Sequence, residues 1–386
     1  MLAAAPAAAS APVVSAPSAI LVQPQTGDVV HARAPDRRRP IASATKLMTV
    51  LITLERRRLS DVMTAVPYSA APAESVVGFR AGERVTTADL VRALLVASGN
   101  DAAATVARDV GGSTRGFVRL MNQRARRAGL TRTRFTDPIG LGASNVSTAR
   151  DLARLALLVR RSRFASAVMD RPRVVLRSGA RTRVLANRNT LVAAVPWVDG
   201  VKTGHTLSAG WCLVGSAGRG GVELVSVVLG APSEAARNAD TLALLRWGLS
   251  RYSRVAAATP KRPVARLPVR DQELRVAVVP ARTVRVVVER GERPALRPTG
   301  LPEELEGPLA QGTRVGTLVV SRRGREVARA PLVTATALER ASLWQRTSEL
   351  HGPLAVVFAA LLVTAASLSA ARRRSRRGGP ARSETA

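Results

Sequence analysis

Ser43-Ala44-Thr45-Lys46 heads a run, Thr45 to Arg58, in which Leu47, Met48, Leu51, Ile52 and Leu54 recur at helical spacing. Residues three apart on a helix share a face, so a serine at its start and a lysine one turn later put an amine beside a hydroxyl. If neutral, that amine can take the serine's proton and leave an alkoxide-like nucleophile. Lysine ordinarily titrates near ~10.4, so the site has to lower that value by burial or a nearby cation. Alone, S-x-x-K is a weak signal, because it recurs by chance.

Two further stretches give it company. Ser98-Gly99-Asn100 follows a helix-like run, Leu90 to Val96, and Lys202-Thr203-Gly204-His205 follows Asp199-Gly200 among strand-like neighbours. A second hydroxyl near a nucleophile can relay a proton to a leaving amine, and an asparagine amide can hold a substrate backbone. A Lys-Thr-Gly strand edge can bind an extended peptide by β-pairing, with Gly204 permitting close approach and Lys202 and the hydroxyls gripping a carboxylate. Of 59 basic residues only Lys46, Lys202 and Lys261 are lysines, and two of these fall in the motifs. Arginine cannot act as a base in a protein, which explains a lysine at 46. A cation at 202 would help to lower the Lys46 pKa.

The three motifs, in this order, resemble the serine penicillin-recognising enzymes. More closely, the chain looks like the low-molecular-mass D-alanyl-D-alanine carboxypeptidases, serine peptidase family S11. Pro40 to Thr49, Leu94 to Ala103, Phe135 to Leu141, Val198 to His205 and Ala209 to Val214 carry the likeness. It covers about residues 18–255 and, less sharply, a following block to about 335. The resemblance implies an α+β, penicillin-binding/β-lactamase-like transpeptidase fold with a small C-terminal all-β domain. It implies Ser43 as acylated nucleophile, Lys46 as general base, and Ser98 and Asn100 in proton transfer and positioning. Lys202 and Thr203 would bind the terminal carboxylate, with Gly204 in the strand edge. The backbone N–H groups of Ser43 and His205 would form the oxyanion hole. The implied substrate is the peptidoglycan pentapeptide, the implied covalent inhibitors are β-lactams, and no metal or organic cofactor is implied. Asp137 stands where relatives often have Asn.

Rival functions are weighed by residues. A class A β-lactamase activates its deacylating water with a glutamate. Between Gly112 and Val198 the acidic residues are Asp137, Asp151 and Asp170 alone, so slow turnover of penicillin is expected. An endopeptidase cutting cross-links is the near alternative, and an inactive wall-binding relative the more distant one. The net charge of +32 raises nucleic acid, but the arginines are scattered and only two Tyr and five Phe are available for base stacking. No nucleic-acid partner is expected; anionic lipid or wall polymer suits the charge equally. The single cysteine, Cys212, lies in an apolar run and reads as core. With His31, His205 and His351 far apart, a protein-built zinc site is poorly supported.

Residues 1–17, rich in Ala, Pro and Ser, read as a leader or truncated signal peptide, and 18–258 as the catalytic domain. Within the latter, Ile20-Leu21-Val22 and Glu223 to Leu229 read as strands, Ser147 to Leu152 as a capped helix start, and Ala235 to Tyr252 as a helix. After Thr259-Pro260-Lys261-Arg262-Pro263, residues 264–335 are β-like. Strands are expected at Leu274–Val279, Val284–Val288, Val315–Val320 and Val327–Val333, with a turn at Arg323-Gly324. A juxtamembrane linker, 336–351, precedes 352–371, twenty residues without charge that match a bilayer core. The basic tail, 372–386, opens Arg372-Arg373-Arg374, which under the positive-inside rule stays in the cytoplasm. The expectation is a single-pass protein of the cell membrane, with its transmembrane helix at 352–371 and its catalytic domain outside.

Overall fold

Ser18–Gln23 (β1) and Val222–Ala231 (β5) are apolar at most positions and buried at nearly all, as suits strands covered on both faces. They pair antiparallel, Ile20 opposite Val227 and Leu21 opposite Ser226. Asp28–Arg33 (β2), Val198–Thr206 (β3) and Gly210–Arg219 (β4) complete an antiparallel sheet of order β2-β1-β5-β4-β3. Alternate residues enter different cores, as the two-residue strand period dictates. Ile20, Val225, Val227 and Val214 face the helical cluster that contains Leu47, Met48 and Leu51. Leu21, Leu224, Val228 and Leu213 meet Leu244 and Leu245 on the opposite face. The latter two belong to the helix Glu234–Arg251 (α4).

The coordinates are a computed structural model that describes residues 10–270 and 272–339, with Leu361, Val363 and Thr364. Two units divide them: one up to Val255 together with Val287–Glu292, the other comprising Ala256–Val286 and the chain from Arg293. Packing of the first begins earlier than Ser18. Val14 and Ala16 are buried, and the N–H groups of Ser15 and Ala16 donate to the Asp240 carboxylate at 2.9 and 2.8 Å. Residues 1–17 are expected as a leader from their Ala, Pro and Ser content; within them a contact more than two hundred residues away holds Ser15 and Ala16.

The helix expected from Thr45 starts as a 3-10 turn, Ala42–Thr45, and continues as Lys46–Arg56 (α1). Every residue from Lys46 to Thr53 is buried, so α1 is a central element rather than an amphipathic surface helix. Truncating a core residue such as Leu47 to Ala would cost about 2–5 kcal/mol. Asn100–Gly111 (α2) and Ala149–Arg160 (α3) pack against α1. Thr148 caps α3 as its sequence suggested, accepting from Asp151 N–H at 3.1 Å.

The second unit is a five-stranded antiparallel sheet ordered Ala265–Val269, Gln272–Pro280, Arg325–Thr334, Arg314–Arg322, Ala295–Thr299. Arg323 and Gly324 have φ of +48° and +77°, the pattern of a type I′ hairpin turn, and Arg322 pairs with Arg325 across it. Of the two edge strands, Ala295–Thr299 carries no apolar alternation, whereas Ala265–Val269 is apolar at Ala265, Leu267 and Val269. Leu338 is buried and bridges Leu309, so the β block runs past the expected limit of 335. Among the described residues no helix is long and apolar enough to cross a membrane. Save Leu361, Val363 and Thr364, the expected span 352–371 and tail 372–386 lie outside the described residues.

Candidate active site

The 3-10 turn places Ser43 one turn before Lys46, and Lys46 Nζ donates to Ser43 Oγ at 3.0 Å. Lys46 Nζ also donates to Asn100 Oδ1 and to the Ile139 carbonyl, each at 2.7 Å. The amine is wholly buried, and burial is the main cause that lowers its pKa to about 7; Arg188 adds to it, while Asp137 and Glu74 oppose it. A neutral amine has two N–H bonds and one lone pair. With the N–H bonds held by Asn100 and Ile139, the lone pair is left for Ser43.

Asn100 opens α2, and its own amide is held in turn. Nδ2 donates to Glu74 Oε2 at 2.8 Å, which fixes Oδ1 toward Lys46, and Tyr68 OH donates to the same carboxylate oxygen. Burial alone would raise the Glu74 pKa, but hydrogen bonds from Tyr68, Asn100 and Ala71 outweigh it and hold the carboxyl below its usual value. On the far side, Asp137 Oδ1 accepts from the N–H groups of Ile139 and Gly140 at 2.8 and 2.6 Å. Asp137 thereby aims the Ile139 carbonyl at Lys46. Sequence reading singled out neither Glu74 nor Tyr68; both lie in an irregular stretch whose partners are distant in the chain.

Ser98 caps a π-helical turn, Ala93–Ala97, in the left-handed conformation with φ +62°. Its buried Oγ makes no hydrogen bond among the described residues, although it lines the same cavity as Ser43. A buried hydroxyl without a partner is costly, and here it faces the space that a substrate would fill.

The motif Lys202-Thr203-Gly204-His205 lies on β3, an edge strand of the central sheet. A Cβ on Gly204 would stand 3.0 Å from Ile41 O and 3.1 Å from Ser43 N, so glycine lets β3 close on the Ser43 turn. The close approach expected for substrate is thus also an approach of protein to protein. His205 is exposed, and its ring stacks on Trp211 with centroids 4.0 Å apart.

Lys202 differs from expectation. Only 1% exposed, its Nζ donates to the Thr203 carbonyl at 2.9 Å, and it does not line the cavity. Its pKa is well below the usual value, through burial first and then the charges of Lys46, Arg188 and Arg237. Arg188 is a cation that lowers the Lys46 value, and Lys46 in turn lowers that of Lys202. The cations that do line the cavity of about 370 Å³ are Arg188 and Arg237, with Thr203 and His205 beside them. Arg188 Nε donates to Ala97 O at 3.1 Å, and Arg237 Nη2 to Glu234 Oε1 at 2.7 Å. In a chain so rich in arginine, neither stands out by sequence.

A family model described as D-alanyl-D-alanine carboxypeptidase matches residues 5–233. The chain belongs to that family. A second model, the C-terminal domain of penicillin-binding protein 5, matches residues 261–340 of this carboxypeptidase-family chain. It is 31% identical to D-alanyl-D-alanine carboxypeptidase DacC of Escherichia coli (strain K12), over 87% of each chain. To a D-alanyl-D-alanine endopeptidase of Pseudomonas aeruginosa it is 35% identical, over 60% of this chain and 76% of the relative. The crystal structure of penicillin binding protein 5 from Haemophilus influenzae superposes with a TM-score of 0.62 at 27% identity, covering 86% of this chain and 99% of the other.

Proposed function

We infer that this serine-type D-Ala-D-Ala carboxypeptidase removes the terminal D-alanine of peptidoglycan stem peptides through an acyl-enzyme on Ser43. The observation that carries the reading is the buried Lys46 amine, bonded at 3.0 Å to Ser43 Oγ and depressed to a pKa of about 7. Ser43 Oγ attacks the penultimate carbonyl as its proton passes to Lys46. The oxyanion is met by the N–H groups of Ser43 and His205. Collapse breaks the peptide bond, and the proton returns through the Ser98 hydroxyl to the departing D-alanine amine. Water then attacks the ester and gives a proton to Lys46, which passes it to Ser43 Oγ as the C–O bond breaks and the shortened peptide leaves. The base has to titrate near the working pH to serve in both directions.

Substrate is read as an extra strand on the free edge of β3. Its terminal carboxylate goes to Arg188, Arg237 and Thr203. Two arginines line the cavity, and although Arg237 already pairs with Glu234 at 2.7 Å, Arg188 forms no ion pair among the described residues, which supports cleavage at a chain end over cleavage of cross-links. Offering a linear pentapeptide and a cross-linked dimer to wild type and Ser43→Ala tests this: the pentapeptide should be the better substrate, and the variant should cut neither. Preference for the dimer would replace the reading with an endopeptidase. β-Lactams would acylate Ser43 by the same path.

The same reading keeps the catalytic unit outside the cell, anchored by 352–371 with 372–386 in the cytoplasm. Its support is the uncharged stretch and the arginines that follow it. Protease added to spheroplasts should degrade the catalytic unit and spare a tag at the C-terminus.

A further inference from the structure

At the other end of β4 from Trp211 lies a larger cavity, of about 680 Å³. Eight residues of strand separate Trp211 from Arg219, roughly 26 Å at the usual rise, so this cavity is remote from Ser43. Four arginines from four segments line it: Arg219 at the end of β4, Arg246 near the end of α4, Arg254, and Arg290. All four are exposed, and no Asp or Glu lines the space. Among the described residues Arg219, Arg246 and Arg254 form no ion pair, whereas many arginines elsewhere do, Arg57, Arg124 and Arg150 among them.

The cluster is built into the fold. Gly221, with φ +77°, leaves room for Arg254: a Cβ there would lie 2.6 Å from Arg254 Cδ and 3.1 Å from Nη1. Arg290 is fastened to the end of α4, its Nε donating to Ser250 O at 2.6 Å and its N–H to Arg251 O at 2.7 Å. Its two terminal nitrogens stay available. Partly buried Trp197 forms another part of the wall.

We propose that this cavity binds a phosphate-bearing carbohydrate, a glycosyl-phosphate unit of a polymer, at a site separate from the peptide-cleaving groove. Guanidinium forks match phosphate oxygens two at a time, and a phosphate brings more acceptors than a carboxylate in the same volume. A cavity of this size suits one or two sugars, whose apolar ring faces pack on an aromatic wall. A concave site favours a discrete group over the flat face of a lipid bilayer.

The test is calorimetric titration of the full chain, in nonionic micelles, with a glucosyl-phosphate oligomer. Poly-glutamate of equal charge and micelles doped with phosphatidylglycerol serve as the other ligands. Arg219→Ser/Arg254→Ser should weaken oligomer binding by about tenfold or more and leave pentapeptide hydrolysis unchanged, which also reports that the variant folds. Arg115→Ser/Arg119→Ser, with the same charge removed from an exposed helix, should change binding less than about threefold. Equal losses in the two variants, or equal affinity for poly-glutamate, would reduce the site to general charge attraction and overturn the proposal. Binding confined to the doped micelles would overturn it in favour of a lipid surface.

Discussion

Lys46→Met is expected to change the pH dependence of stability in a calculable way. Unfolded, Lys46 would titrate near ~10.4; folded, its value is about 7. Between those values the unfolded chain carries one proton more at this position, so unfolding takes up a proton and stability rises with pH. The slope is about 1.4 kcal/mol per pH unit, or about 2.7 kcal/mol between pH 7.5 and 9.5. Lys46→Met lacks that contribution. Lys202, whose value is also lowered, is common to both proteins, and above pH 7.5 the folded wild-type Lys46 is mostly neutral, so its charge scarcely touches Lys202 in either. The comparison should therefore isolate one residue. Urea unfolding at a series of pH values, followed by the fluorescence of Trp197, Trp211 and Trp247 in the catalytic unit, would measure it. Wild type should gain on the variant by the stated amount. A constant difference across the window would mean that folded Lys46 keeps an ordinary pKa, and the buried-base account would fail.

Other consequences are as specific. Acylation by a β-lactam should fall about tenfold per pH unit well below pH 7, where Lys46 is protonated; a rate flat down to pH 5 would exclude it as base. Glu74→Gln removes a charge that raises the Lys46 pKa, so the acid limb of that profile should move to lower pH, with slower acylation as the hydrogen bond that anchors Asn100 loses its charged acceptor. Arg237→Gln should raise KM for pentapeptide far more than it lowers kcat, since it removes a charge that meets the terminal carboxylate in ground and transition states alike. Gly140→Ala should cost about 3 kcal/mol or more in thermal unfolding and slow acylation, because a Cβ there would lie 2.0 Å from Ala42 O at φ +92°.

The parts of this site that sequence revealed are those that chemistry fixes locally. Ser43 and Lys46 lie one turn apart, and Ser98-Gly99-Asn100 has to combine a left-handed serine with a helix start, so each motif is contiguous. What holds them is not. Glu74 and Tyr68 reach Asn100 from an irregular loop, and Asp137 acts through a backbone carbonyl, Ile139 O, that has no signature of its own. A lysine on a strand edge suggests a carboxylate grip; the burial of Lys202 does not follow from a period-two pattern in which both faces are covered. Arg188 and Arg237 were hidden by composition, since arginine is everywhere in this chain. The strands of the central sheet were legible as apolar runs, and the hairpin Arg323-Gly324 from its turn chemistry. The ordering of Val14 and Ala16 and the burial of Leu338 depend on partners far along the chain or on unpatterned sequence.

The most direct test of the central claim is the intact mass of the full chain after incubation with benzylpenicillin, measured beside Ser43→Ala. The account predicts a lasting adduct of one benzylpenicillin per wild-type chain and none on the variant. An adduct that survives the substitution, or a wild type that neither gains mass nor consumes the drug, would contradict it.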